Sequence, residues 1–348
     1  MMLRELLKKR GVSGDEREVR DFIYEECKKL TDDVRIDALG NVIAVKKGTR
    51  MPEKLVMGCA HMDEVGLIIT GIEDDGLLKF EPVGGMDARI LLSKRVLVGS
   101  KRLPGVIGSV AIHFLDEKDL ETPEDIEDMA IDIGANNKKA AEEHVEIGDT
   151  VIFDGEITEF GDGMLKSRAL DDRVGCAILL EALKRDYPAG FAAVFSVQEE
   201  VGTHGARTAS YALRPDAAIV LEGTTCADMH GVADHMRVTR VGKGAAVTVM
   251  DNATVPNTRL RDFITSVADS NSIAWQYREG AFGGTDAGAI QRAAGGAAVA
   301  HISTPCRYIH SPVSAMKKSD FEHAKNLFIT VLGNMDQYFE TQGVKNVN

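Results

Sequence analysis

The sequence predicts an α/β fold interrupted by a small β insertion. Apolar runs that read as buried strands alternate with amphipathic helical patterns at both ends of the chain. Between them, over residues 67–163, the pattern changes to short strands separated by Gly and Asp-Gly turns. The helix–strand alternation then returns, so the insertion divides one α/β unit into residues 1–66 and 164–348. A length of 348 residues favours two domains.

In chain order, "SGDEREVRDFIYEECKKL" (13–30) reads as a helix. Ser13 and Glu16 form a capping-box pattern, and Val19, Phe22, Ile23, Cys27 and Leu30 share one face. "VRIDALGNVIAVKK" is a strand pair turning at Gly40-Asn41, and "KLVMGCAHMD" is a strand with polar residues at its end. The insertion contributes "GLIITGIEDDGLLKFEPVGG", "KRVLVGS", "GVIGSVAIHFL" and "GDTVIFDGEI" as strands, with one helix near "TPEDIEDMA". "LDDRVGCAILLEALKR" and "NTRLRDFITSVADS" read as helices, and "FAAVFSV", "AAIVLEG" and "GAAVAHIS" as buried strands. A final helix over 319–339 starts with a second capping box, Ser319 and Glu322.

With 44% hydrophobic and 27% charged residues the chain has the composition of a soluble protein with a sizeable core. Its net charge of −13 argues against nucleic acid and anionic membranes as partners. Five scattered cysteines without a CxxC argue against a disulfide framework and for a reducing cytoplasm. The charged start holds no signal-peptide core, and no run of about 18 apolar residues offers a membrane span.

The polar residues at predicted strand ends carry the chemistry. His61 and Asp63 lie at period two, which suits an imidazole metal ligand oriented by a carboxylate, although His-x-Asp is common. Asp171-Asp172 precedes a helix and reads equally as an N-cap. Glu222 ends a buried run, with Asp228 after it; a salt bridge would serve a buried glutamate as well as a metal. His310, in a loop before Pro312, is unremarkable alone. Glu199-Glu200 closes an apolar strand, where two like charges need a nearby cation. Together, His61, Asp171, Glu200, Glu222 and His310 make two imidazoles and three carboxylates at one sheet edge. Two divalent ions about 3.5–4 Å apart want that mixture. One of the paired glutamates then serves as ligand and the other as base. The glycines of "GGTDAG" fit neither a P-loop nor a dinucleotide fingerprint and read as a tight turn near the site, supported by Asp286.

Five motifs in order, "HMDEVG", "SRALDDRVG", "SVQEEVG", "GGTDAG" and "PCRYIHSP", resemble the TET-type dinuclear metallo-aminopeptidases, which include glutamyl and deblocking aminopeptidases and proteins labelled cellulase M. The similarity spans essentially the whole chain. It implies a zinc-peptidase-like mixed sheet flanked by helices, with an inserted PDZ-like β-barrel used for dimerisation. It also implies two divalent ions, zinc or cobalt, peptide substrates, and a tetrahedral dodecamer with internal active sites. By the same resemblance His61 binds one ion, Glu200 and His310 bind the other, and Asp171 bridges them. Glu222 stands where the family usually has an aspartate ligand. Asp63 orients His61, Glu199 is the general base, and the Asp171-Asp172 peptide is cis. A carboxypeptidase or deacylase on the same scaffold is the nearest alternative. A β-glucanase fits less well, because its two carboxylates flank the bond about 5–9.5 Å apart. A metal-free binding scaffold is disfavoured because every catalytic position is filled.

Overall fold

A computed structural model describes residues 2–114 and 122–343. Helix α1 (Met2–Leu7) buries Leu3, Leu6 and Leu7, and α2 (Arg17–Lys28) buries Val19, Ile23 and Cys27. The capping box expected ahead of α2 does not form. Glu16 is the N-cap residue but makes no side-chain cap. Ser13 Oγ instead donates to Asp63 Oδ2 at 2.6 Å, a charge-assisted bond that outweighs a surface cap. Strands β1 (Asp33–Ile36) and β2 (Val42–Lys46) pair as a hairpin. Its turn is held by Asp37 Oδ1, which accepts from the N–H groups of Leu39, Gly40 and Asn41. Strand β3 (Met51–His61) ends on His61.

Six antiparallel strands follow: β4 (Gly66–Ile72), β5 (Leu78–Val83), β6 (Arg95–Val98), β7 (Leu103–Gly108), β8 (Ala130–Asp132) and β9 (Thr150–Phe153). They close into a barrel in the order β4-β5-β8-β7-β6-β9, which leaves no free edge. The barrel has its own core, including Leu67, Ile69, Phe80, Val96 and Ile131. Its first and last strands are neighbours, with Leu67 opposite Val151. The helix expected near 122–130 is a single 3-10 turn, Ile126–Asp128, because Ala130–Asp132 pairs into the barrel directly after it. A short helix, α3 (Lys138–Glu142), precedes β9.

Past the barrel come β10 (Thr158–Phe160), β11 (Met164–Ser167), α4 (Leu170–Ala182), β12 (Ala189–Ser196), α5 (His204–Leu213), β13 (Ala217–Thr225) and β14 (Ala245–Thr248). The remainder is α6 (Thr258–Ser270), β15 (Trp275–Arg278), α7 (Asp286–Arg292), β16 (Ala298–Arg307), β17 (Ser314–Lys317), α8 (Lys318–Gly333) and α9 (Met335–Gly343). The large sheet runs β1-β2-β12-β3-β13-β16-β17-β11-β10, with β14 attached at β16 and β15 paired to β14. Residues 158–160, grouped with the insertion by composition, thus pair into the large sheet. The central strands β12, β3, β13 and β16 are parallel, and antiparallel strands flank them.

Alternate residues of β3 face opposite layers. Val56 and Ala60 join the core beneath α1, α2, α4, α6 and α8. Met57 and Cys59 join the smaller core beneath α5 and α7. Gly58 lets α4 and α8 close on the sheet: a Cβ there would lie 2.7 Å from Leu179 and 2.8 Å from Phe328. The second capping box also fails. Helix α8 starts one residue before Ser319 and has no side-chain cap. Asp320 instead accepts from Gly242 N and Gly244 N at 2.6 and 2.9 Å, tying the helix to the loop before β14. The expected 319–339 helix breaks at Asn334 into α8 and α9.

Candidate metal centre

The carboxyl ends of the four parallel strands share one edge, where α/β sheets bind ligands. His61 closes β3 opposite Ser196 of β12, and Glu222 of β13 lies opposite Ser303 of β16. Asp171 and Asp172 sit at the start of α4 with non-helical backbone angles, and the peptide between them is cis. The capping role open to the pair falls to Asp172, whose Oδ1 accepts from Gly175 N at 2.9 Å. Asp171 faces the cleft, with Oδ1 accepting from Gly223 N at 3.2 Å. Gly223 is required there, since a Cβ would come within 2.9 Å of Asp171 Cα.

Strand β12 ends at Ser196, and Gln198 takes a left-handed φ of 56° as the backbone turns. Glu199 N and Glu200 N both donate to the Asp63 carboxylate, each at 3.1 Å. That fully buried carboxylate also accepts from Ser13, so it holds the turn that presents both glutamates. Toward His61, the backbone carbonyl of Asp63 is nearer to Nδ1 (3.1 Å) than its carboxylate is (3.5 Å). With Nδ1–H donating to the carbonyl, the Nε2 lone pair points into the cleft.

Nε2 of His61 lies 3.5 Å from Asp171 Oδ1 and 3.5 Å from Glu222 Oε2. Nε2 of His310 lies 3.6 Å from Glu200 Oε2 and 4.0 Å from Asp171 Oδ2. Each oxygen of Asp171 therefore faces a different imidazole. Three donor sets each fit within 4.8 Å: His61 with Asp171 and Glu222, Asp171 with Glu200 and His310, and His61 with Glu199 and Glu200. Among the described residues no lysine or arginine pairs with Asp171, Glu199, Glu200 or Glu222. Burial pushes the Glu200 carboxyl up to about 7 and that of Glu222 up to about 8, with Asp171 adding to both. Burial, helped by Glu222, Asp286 and Glu200, raises Glu199 well above the carboxylate range. Burial opposes a charged His61, but the carboxylates of Asp171, Asp63 and Glu222 outweigh it and raise its pKa.

The cluster lines one side of a cavity of about 480 Å³. Its other walls include Thr285 of the "GGTDAG" motif and Thr224, Asp251, Arg278 and His301, of which the last four did not stand out in the sequence. Arg278 donates to Thr224 Oγ1 at 2.9 Å and to the carbonyls of Met250, Gly280 and Phe282, so it latches the end of β13 and the loops after β14 and β15 around the cavity. His301 Nε2 lies 3.0 Å from Thr285 Oγ1 and 3.4 Å from Asp251 Oδ2. A histidine inside the apolar run "GAAVAHIS" was the available sign. Asp286 does not support a turn: it opens α7 and accepts from Ser196 Oγ at 2.5 Å beneath the cluster. Asp228 lies off the site, in a two-pronged ion pair with Arg307 at 2.7 and 2.9 Å. The barrel reaches the centre through Gly85, whose carbonyl lies 3.0 Å from His310 Nδ1. Gly84-Gly85 in "PVGG" was the only local hint.

A profile described as M42 glutamyl aminopeptidase matches residues 40–327. Lysyl aminopeptidase of Pyrococcus furiosus is 33% identical over 334 residues, covering 94% of each chain. The solved aminopeptidase APDkam598 of Desulfurococcus kamchatkensis superposes with a TM-score of 0.93 at 33% identity, over 99% of this chain and 98% of its own. The Pyrococcus horikoshii TET1 peptidase, which can assemble into a tetrahedron or a large octahedral shell, superposes with a TM-score of 0.84 at 32% identity, over 95% and 98%.

Proposed function

The chain belongs to the M42 glutamyl aminopeptidase family, and on that basis we propose that it removes single residues from free peptide N-termini at a centre for two divalent ions. The residues fit such ions. Ligand atoms held tetrahedrally at about 2.0–2.2 Å from one ion lie about 3.3–3.6 Å apart. The His61–Asp171, His61–Glu222 and His310–Glu200 separations of 3.5, 3.5 and 3.6 Å match this. Glu222 Oε1 is buried without a hydrogen-bond partner. The observation that carries the proposal is Asp171, with one oxygen toward each imidazole, as a bridging ligand needs.

In this reading His61 and Glu222 hold one ion, Glu200 and His310 the other, and Asp171 both. Glutamate in the place of the family's usual aspartate still brings Oε2 within ligand spacing of His61. Zinc or cobalt suits the donor set. Bound divalent ions supply Lewis acidity, activating water at neutral pH and drawing charge from the scissile carbonyl. Glu199 moves the proton: its carboxylate accepts one from the attacking water and passes it to the leaving amine. Asp63 is a positioning residue, fixing the backbone of Glu199-Glu200 and the loop that faces His61. The barrel, the part of residues 67–163 that ends at Phe153, acts as an inserted dimerisation domain within the α/β unit, which β10 at 158–160 joins. The chain forms a homo-oligomer, taken here to a tetrahedral dodecamer by analogy with the P. horikoshii protein. Five free, buried cysteines favour a cytoplasmic setting.

The test is a digest of a peptide library by zinc- or cobalt-loaded protein, read by mass spectrometry. Loss of one residue at a time from free N-termini is expected. Trimming from C-termini, or hydrolysis of cellulose with peptides untouched, would overturn the proposal.

A further inference from the structure

Next to the metal centre an apolar groove of about 830 Å³ runs between the barrel and the loop after β16. The barrel side supplies Met86 and Ile90, and the loop side supplies Tyr308, Ile309, Pro312 and Val313. Tyr308 and Val313 are 50% and 41% exposed. Large apolar groups left open together mark a binding surface more often than a plain one.

Groove and cavity are continuous. Gly85, Ile309 and His310 line both, and the Gly85 carbonyl is tied to His310 Nδ1 at 3.0 Å across the seam. Tyr308 and His310 both take left-handed φ values, 61° and 55°. Such a conformation at a non-glycine residue has to be held by its surroundings. Here the conformation turns one imidazole into the cleft and leaves an aromatic ring on the groove.

We propose that this groove holds the part of the peptide beyond the scissile bond, so that the barrel is a substrate-binding element and the enzyme favours apolar residues after the first. The inference rests on the aminopeptidase reading. An N-terminal residue occupies the polar cavity, and the rest of the peptide passes His310 into the groove. Charged lining is sparse: Asp87 is already neutralised by Arg89, whose Nε lies 3.0 Å from both its oxygens, and Lys94 stands at the barrel side. A peptide with acidic or strongly polar second and third residues gains little there.

The experiment compares three substrates with the same N-terminal residue: its amide, a tripeptide continuing Leu-Leu, and one continuing Asp-Asp. The wild-type enzyme is expected to prefer Leu-Leu over Asp-Asp by about tenfold or more in kcat/KM. Val313→Asp, on the exposed side, and Met86→Gln, on the barrel, are each expected to lower the Leu-Leu to amide ratio of kcat/KM by about tenfold, chiefly through KM. Light scattering accompanies each assay. Equal use of the two tripeptides by the wild type overturns the inference, as does an equal loss on amide and tripeptide in both variants. A preference that disappears together with a drop in oligomer mass assigns the groove to a second copy of the chain and also overturns it. Wild-type enzyme that cleaves none of the three substrates overturns the aminopeptidase reading itself.

Discussion

At the level of single residues, the proposed division of work between Glu199 and Glu200 concerns two neighbours that the turn after β12 brings to the same cleft. If Glu199 is the base and not a ligand, Glu199→Gln keeps both ions and loses about 10²–10⁴-fold in turnover. Glu200→Gln removes an anionic ligand, so the ion shared with His310 weakens and excess metal partly restores activity. Elemental analysis beside turnover decides between them, and a Glu199→Gln protein that loses metal would reverse the assignment. The crowded carboxylates also set a pH dependence for the protein stripped by a chelator. Glu200 and Glu222 stand near 7 and 8 against an ordinary 4.5, with burial the main cause. Between those values the folded chain keeps protons that the unfolded chain has released, so stability is present at low pH and falls as pH rises. The melting temperature of stripped protein should therefore drop from about pH 5 to pH 8, and divalent ions, which take the protons' place, should abolish the drop. A stripped protein that gains stability over that range would contradict these raised values.

Among the elements, the loop carrying Met62–Glu64 depends on a buried arginine. Arg173 of α4, fully buried, donates to Met62 O at 2.9 Å, Leu6 O at 2.7 Å and Lys9 O at 2.9 Å, and to Glu64 at 3.2 Å. Arg168 pairs with the other oxygen of Glu64. This knot joins α1, α4 and the loop that bears Asp63. Arg173→Met leaves Glu64 and three carbonyls short of a donor and should destabilise the fold by about 3–5 kcal/mol in urea unfolding. A loss within 1 kcal/mol would show that Arg168 and water replace it. On the same face Phe328 of α8 packs edge-on against Phe191 of β12 at 6.0 Å. Phe328→Ala should cost about 3–5 kcal/mol through the cavity it leaves, and its distance from the cleft should spare metal content.

For the molecule as one object, the barrel leaves from and returns to adjacent strands, with Leu67 opposite Val151. Replacing residues 67–153 by a short glycine linker therefore spans a small gap and should leave the large sheet folded. The proposed dimerisation role then predicts a fall to monomer mass in light scattering. Retention of the native mass by a folded deletion protein would place the interface elsewhere. The same deletion removes Gly85 from His310, so the second ion should bind more weakly in the deleted protein.

The mixed sheet, the barrel inserted after β3 and the cluster of His61, Asp171, Glu199, Glu200, Glu222 and His310 were all legible in the sequence. Hydrophobic period fixes which strand face is buried, and polar residues that break an apolar run at a strand end have few positions to occupy other than the sheet edge. Motif order supplied the rest of that cluster. Folding chose among partners that local sequence leaves equivalent. Ser13 and Ser319 both carry a capping pattern, yet neither helix uses it: the Ser13 hydroxyl is taken by the buried Asp63 carboxylate, and α8 begins one residue before Ser319, with Asp320 bonded to loop amides far back in the chain. Asp172 rather than Asp171 caps α4, and Asp228 pairs with Arg307, 79 residues away, instead of joining Glu222. The cavity walls at Asp251 and Arg278 have no local signature, and a histidine in an apolar run or a pair of glycines does not by itself place His301 on the cavity or Gly85 against His310. These placements follow from strand order in the sheet and from where the barrel leans on the loop after β16, and contacts between residues so distant in the chain exist only once those elements have packed.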